Sequence, residues 1–280
     1  MSLIQGMTDF LHYDFLFLSL IGTLLLSLSC GLISPLIISK RYAFMGAAVS
    51  HSTILGLSIA LSLIPATDSI NIFLITLAVT LVIVIFLAKA TFRQRLPSDS
   101  LIGIFFTGSM GLGVIIHSLF TGQKGDLMGY LFGNILLLDK GDLLLSGLLL
   151  MLLIPIILIP LKRWLYIIYD EEGAIVSGLS VKFFHYLFFI LLTFLIVSSL
   201  KIAGAVLVNT LLLVPGVFGL RFGKNIKEVI LLSISFSTLG SLLGLYLANL
   251  NNFPSGATLA VVQLILLLFS FAIEKLKRKA

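Results

Sequence analysis

One histidine interrupts the run GAAVSHSTILG (46–56), whose other residues suit a hydrocarbon interior. His51 carries two ring nitrogens, and burying such polar groups without partners costs a few kcal/mol. Two chemistries answer that cost. In one, His51 hydrogen-bonds across a packed helix interface: Gly46, Ser50, Thr53, Gly56 and Ala60 recur at three- and four-residue intervals, a small-residue ridge of the kind on which membrane helices approach closely. In the other, the imidazole is a metal ligand or part of a polar pathway, the usual meaning of an ionisable group inside a bilayer. His12, His117 and His185 fall near the ends of apolar runs and need no such explanation.

Two further stretches have the composition for a role. DEEGAIVSGLSV (170–181) begins with three acidic residues, Asp170, Glu171 and Glu172, which favour the start of a short helix. Ala174 and Gly178, four apart, give that helix a small face for docking against another protein. KIAGAVLVNTLLLVPGVFGL (201–220) holds Asn209 with Gly204, Pro215, Gly216 and Gly219. Proline removes a backbone donor and invites a kink, so this segment reads as a bent helix with one buried amide, either for packing or beside a translocation path.

Catalytic patterns are missing. No H-E-x-x-H occurs, and Ser50–His51 has no acidic orienter nearby. The nearest approach to a phosphate-binding loop, GLRFGKN (219–225), has the wrong spacing and lacks the magnesium-binding hydroxyl. Transport driven by ATP would therefore need a separate chain to hydrolyse it.

The elements that must position these residues are membrane helices. The 280 residues are 59% hydrophobic and 11% charged, against roughly 25% charged in soluble domains, and the mean hydropathy is +1.18. Lipid leaves only helices and closed barrels with a satisfied backbone, and the runs here are too long and uniformly apolar for barrel strands. With about 20 residues needed per crossing, spans fall near 15–38, 43–64, 70–88, 101–120, 141–161, 183–200, 202–220, 228–249 and 255–273. That makes nine, or eight if the runs flanking Lys201 form one broken helix. The net charge of +6 is a topology signal: Lys40 and Arg41, Lys89 to Arg95, Lys162 to Lys182, Arg221 to Lys227 and the tail after Lys275 can all lie on one side, the cytoplasmic one. This sets the N-terminus outside and the C-terminus inside, with no nucleic-acid partner implied. GYLFGNILLL (129–138) is expected to form a short re-entrant or interfacial helix. Cys30, the single cysteine, has an ordinary packing role. The fold class is all-α polytopic membrane protein, with 1–280 as one transmembrane domain and a cytoplasmic loop at about 162–182.

Taken in order, these stretches resemble the membrane subunits of bacterial zinc and manganese ABC importers. GAAVSHSTILG is similar to a family pattern G-D-A-x-S-H-x-x-x-x-G. DEEGAIVSG is similar to D-P-E-x-A-x-x-x-G, matching at Asp170, Glu172, Ala174 and Gly178. AGAVLVNTLLLVPG resembles V-G-A-L-L-V-x-A-L-L-I-x-P, and PSGAT (254–258), DSLIGIFFTGSMGLGV (99–114) and GYLFGNILLL resemble further family segments. The resemblance implies a permease in the bacterial cytoplasmic membrane that pairs with a second copy of itself. It implies two ATPase copies docked on the inner loops, with 170–181 as the coupling segment, and an extracytoplasmic metal-binding protein delivering cargo. His51 would face the pathway and touch the passing cation; no cofactor would reside in the chain.

One departure touches the chemistry. The family's carboxylate, one turn before the histidine, is Ala47 here. Positions 47 and 51 share a helix face, so a ligand pair is lost. Two His51 rings from a dimer would supply two of the roughly four ligands zinc prefers; water, Asn209 or Ser50 would complete a loose set. Losing oxygen and keeping nitrogen weakens manganese more than zinc, so zinc is favoured, with manganese and iron as further cargoes. The alternatives are an ABC permease for a metal chelate, whose members are longer, and an ion-coupled secondary transporter. The latter would need carboxylates inside the spans, whereas Asp68, Asp99, Asp142 and Glu228 sit near span ends.

Overall fold

The computed structural model describes residues 12–64, 69–92, 98–120, 133 and 138–277. Its helices are α1 (Asp14–Ser39), α2 (Met45–Leu63), α3 (Ser69–Thr91), α4 (Ser98–Phe120), α5 (Lys140–Leu158), α6 (Leu161–Tyr169), α7 (Glu171–Val176), α8 (Val181–Phe222), α9 (Ile226–Asn251) and α10 (Ser255–Lys277). Among the described residues, nine helical stretches are long and apolar enough to cross a membrane. Each coincides with an expected span to within a few residues. The polytopic all-α reading holds. GYLFGNILLL lies outside the described residues except at Gly133 and Leu138, as do residues 93–97 after α3.

The division in the middle of the chain is real, but its position differs from the expected one. α8 is continuous to Phe222 except at Gly204, where φ 71 and ψ 163 leave the helical region. A residue without Cβ enters that region at little steric cost. Lys201 therefore marks the neighbourhood of the break without causing it. Pro215 stays inside the second arm, where Gly216 N–H donates to Ser34 Oγ at 2.7 Å.

The chain forms two compact units. The first comprises Met1–Ile38, Leu131–Leu150 and Lys201–Ala280; the second comprises Ser39–Tyr130 and Met151–Leu200. In the first, Ser233, Ser237 and Ser241 occupy one face of α9 and are fully buried. Gln263 of α10, also fully buried, donates to Ser237 O and Ser241 Oγ, both at 3.0 Å. In hydrocarbon such bonds link helices where apolar contact alone gives little preference.

In the second unit α2 is the central helix, packed by α3 and α4. The small-residue ridge does what its spacing implies: a Cβ at Gly56 would stand 2.8 Å from Thr76 O on α3, so only glycine permits this closeness. On the ridge Thr53 Oγ1 donates to Val49 O of its own helix at 2.9 Å, and beside it Ser52 and Ser58 donate likewise to Ala48 O and Ile54 O at 2.8 and 2.9 Å. Hence the ridge packs without demanding a hydrogen bond from His51.

Candidate functional site

His51 lies six residues inside α2, about 9 Å along its axis from Met45. Between Gly46 and Leu61 every residue is buried except Ala47, His51 and Ile59. These three fall on one stripe of the helix, at offsets of 4 and 8. Within this stretch the histidine therefore occupies the partly open line of the helix, and Ala47 occupies it one turn earlier.

The ring is held by α4. Phe106 meets it nearly edge-on, with centroids 4.4 Å apart and planes at 85°, a contact worth about 0.5–1.5 kcal/mol beyond burial. One turn along, the Ser52 and Ser109 hydroxyls meet at 3.3 Å. Gly113 lets α4 approach the Leu55 backbone, with a Cβ there only 3.1 Å away. His51 Nδ1 is sealed and has no hydrogen-bond partner among the described residues. The cross-helix hydrogen bond that would have explained the residue as packing is thus not made. What remains is an oriented imidazole on an open stripe, and a neutral imidazole nitrogen is a good ligand for zinc, copper, iron and nickel.

Among the described residues no three His, Cys, Asp or Glu side chains converge as a metal site. Asn209 lies in the first compact unit and His51 in the second. His185, expected at an interface, is instead 5% exposed. Its Nε2–H donates to Ala88 O at 2.9 Å, and its ring packs on Phe189 at 4.8 Å and Phe92 at 5.1 Å. The sequence shows only a histidine near a loop; its aromatic surroundings come from three separate segments.

The acidic segment forms the short helix its composition implies. Asp170 is the N-cap, its Oδ1 accepting from Gly173 N–H at 2.8 Å. Gly178 ends the helix with φ +79, while Leu179 N–H returns to Ala174 O at 3.0 Å, the six-residue closure of a glycine-terminated helix. Of the two small residues expected to dock, Gly178 is exposed, with open space where a Cβ would stand. Ala174 is fully buried and faces inward, whereas Val176 is 89% exposed. An apolar tip, flanked by exposed Glu171 and Glu172, is what this loop presents. Ala174 sets the helix into its own unit.

This loop is tied to the approach to α2. Lys40 Nζ lies 5.6 Å from the ring centres of both Tyr42 and Phe188, and Tyr42 packs on Phe189 at 6.0 Å. Burial pulls the Lys40 ammonium below its ordinary pKa, opposed by the negative charge of Glu171. The Tyr42 phenol is pushed up to about 12 by burial and then by that same carboxylate. Tyr42 O in turn accepts from Met45 N–H at 3.0 Å, where α2 begins. Neither Lys40 nor Tyr42 stands out in the sequence, since a basic residue at a span end is common.

Comparison with known proteins places these features in a family. The chain is 28% identical over 261 residues to the manganese transport system membrane protein MntC of Listeria innocua, covering 93% of this chain and 91% of that protein. It is 31% identical over 278 residues to the manganese import system permease protein ScaB of Streptococcus gordonii, covering 98% and 96%. Among solved structures it matches PsaBC from Streptococcus pneumoniae in complex with Fab, with a TM-score of 0.84, 26% identity and coverage of 96% and 95%. The model of the ABC 3 transport family spans residues 12–274, taking in α2 with His51, the α7 loop and the broken helix α8. The chain belongs to the ABC 3 transport family.

Proposed function

We propose that this chain is the membrane-spanning subunit of an ATP-driven importer of a divalent transition-metal ion. It works as a homodimer in the bacterial cytoplasmic membrane, with a separate ATPase pair on its inner loops and an extracytoplasmic binding protein supplying the metal. One observation carries the cargo assignment: His51 sits on the partly open stripe of α2 between Gly46 and Leu61, and Phe106 orients its ring. A ligand that moves along that stripe would find one nitrogen donor per chain. Such sparse coordination suits release more than retention, because few bonds must break for the ion to leave. The exposed apolar tip at Val176 supports the α7 segment as the ATPase contact.

Two cargoes each have support. The names of the relatives MntC and ScaB support manganese. The donor set supports zinc, since Ala47 removes an oxygen and leaves nitrogen. Uptake of labelled manganese, in cells lacking their own importer and expressing this chain with its ATPase, tests the reading when zinc and iron are added as competitors. Metal accumulation above the empty-vector level is expected. Accumulation that persists with a catalytically dead ATPase would refute it.

A further inference from the structure

We propose that a cavity between the ends of α8 and α10 binds the headgroup of an anionic phospholipid. The cavity has a volume of about 470 Å³ and is lined by Arg221, Phe271, Glu274 and Lys275, all within the first compact unit. Arg221 Nε and Nη2 both donate to the Glu274 carboxylate at 2.9 Å. This planar pair fixes one wall, while the guanidinium keeps further donors free, since it carries five N–H groups, and its side chain is 47% exposed. Lys275 is exposed and has no ion-pair partner among the described residues. Two cations against one carboxylate leave a net positive cavity.

The helix below the cavity has the complementary character. Val261, Leu264 and Leu268 are 54%, 49% and 58% exposed, and with Phe271 and Lys275 they recur at three- and four-residue spacing along one stripe of α10. That stripe is about 21 Å long, more than one leaflet of a roughly 30 Å hydrocarbon core. An acyl chain laid on Val261, Leu264 and Leu268 brings its phosphate to Arg221 and Lys275. A soluble protein docked at the helix end would leave this membrane-embedded stripe uncovered; a lipid uses both parts. Basic pockets at the cytoplasmic ends of membrane helices bind anionic headgroups in this way. The inference requires the basic clusters to face the cytoplasm, and it is independent of the cargo.

The test is native mass spectrometry of the full-length permease, purified in detergent with equimolar phosphatidylglycerol and phosphatidylcholine. Preferential retention of phosphatidylglycerol is expected, and Lys275→Gln should reduce that preference about fivefold, the contribution of one basic residue. Lys275 is exposed, so this variant should fold. The double variant Arg221→Gln with Glu274→Gln, which leaves the pair's net charge unchanged, should also weaken retention. Excess inorganic phosphate should fail to displace the lipid, because it lacks the chain that lies on Leu264 and Leu268. Equal retention of the two lipids, an unaltered preference in Lys275→Gln, displacement by inorganic phosphate, or loss of the lipid when the ATPase chain is added would each overturn the proposal.

Discussion

The indole Nε1–H of Trp164 donates at 3.1 Å to the carbonyl of Ile156. In a regular helix that carbonyl would accept from residue 160, but position 160 is proline and has no N–H. Trp164, fully buried, thus supplies from the next helix the donor that Pro160 withholds. The result is a fixed corner between α5 and α6. Beyond it, α6 carries Tyr166, whose hydroxyl lies 3.3 Å from Ser177 Oγ at the end of α7, so the corner sets the base of the α7 loop.

Trp164→Phe should keep the edge-on packing against Phe184, 4.9 Å away, but orphan the Ile156 carbonyl. A buried unsatisfied acceptor costs about 1–3 kcal/mol. Thermal unfolding in detergent should show a lowered midpoint, with Trp164→Ala lower still. A midpoint equal to wild type would mean that water or another donor already serves the carbonyl.

Replacing His51 by alanine should abolish metal accumulation while the permease still assembles and copurifies with its ATPase. Phe106→Ala, which frees the ring without removing it, should weaken transport about 2- to 10-fold, matching the strength of the ring contact. Full accumulation by His51→Ala would return the imidazole to a packing role.

Restoring a carboxylate at the neighbouring position tests the cargo separately. Ala47 lies on the same open stripe as His51, so Ala47→Asp should raise manganese uptake relative to zinc by adding a hard oxygen donor. Competition between the two labelled ions reads this directly, and an unchanged ratio would remove position 47 from selectivity.

Val176→Asp should weaken ATPase binding by about tenfold or more, as expected when a buried apolar anchor becomes charged. The permease itself should remain folded, because Val176 is 89% exposed. Copurification of the ATPase with the variant decides the matter. Undiminished recovery would place the contact elsewhere on the inner surface.

The Tyr42 phenol titrates at about 12 in the folded chain against an ordinary 10.0. Because the folded value is the higher one, this group's contribution to stability is complete below pH 10 and is lost as pH rises through about 12. Tyr42→Phe should therefore flatten the alkaline limb of stability between those values. An identical limb in both proteins would show that Tyr42 ionises as freely folded as unfolded.

The sequence alone determined the membrane class, the bounds of the apolar spans to within a few residues, with nine or eight left open, and the short capped helix after Asp170. These follow from local chemistry: apolar length, charge placement and side chains that bond within four residues of themselves. It also singled out His51, because an imidazole in an apolar run is anomalous wherever the chain folds. Only the tertiary structure decided that the break in α8 falls at Gly204, since a backbone angle is not written in composition. Packing against α4 decided that Phe106 orients His51, and packing of the α7 loop decided that Ala174 faces inward and Val176 outward. Which neighbour a side chain meets depends on residues distant in the chain, and the pairings of Lys40 with Phe188 and of His185 with Ala88 have no local signature at all.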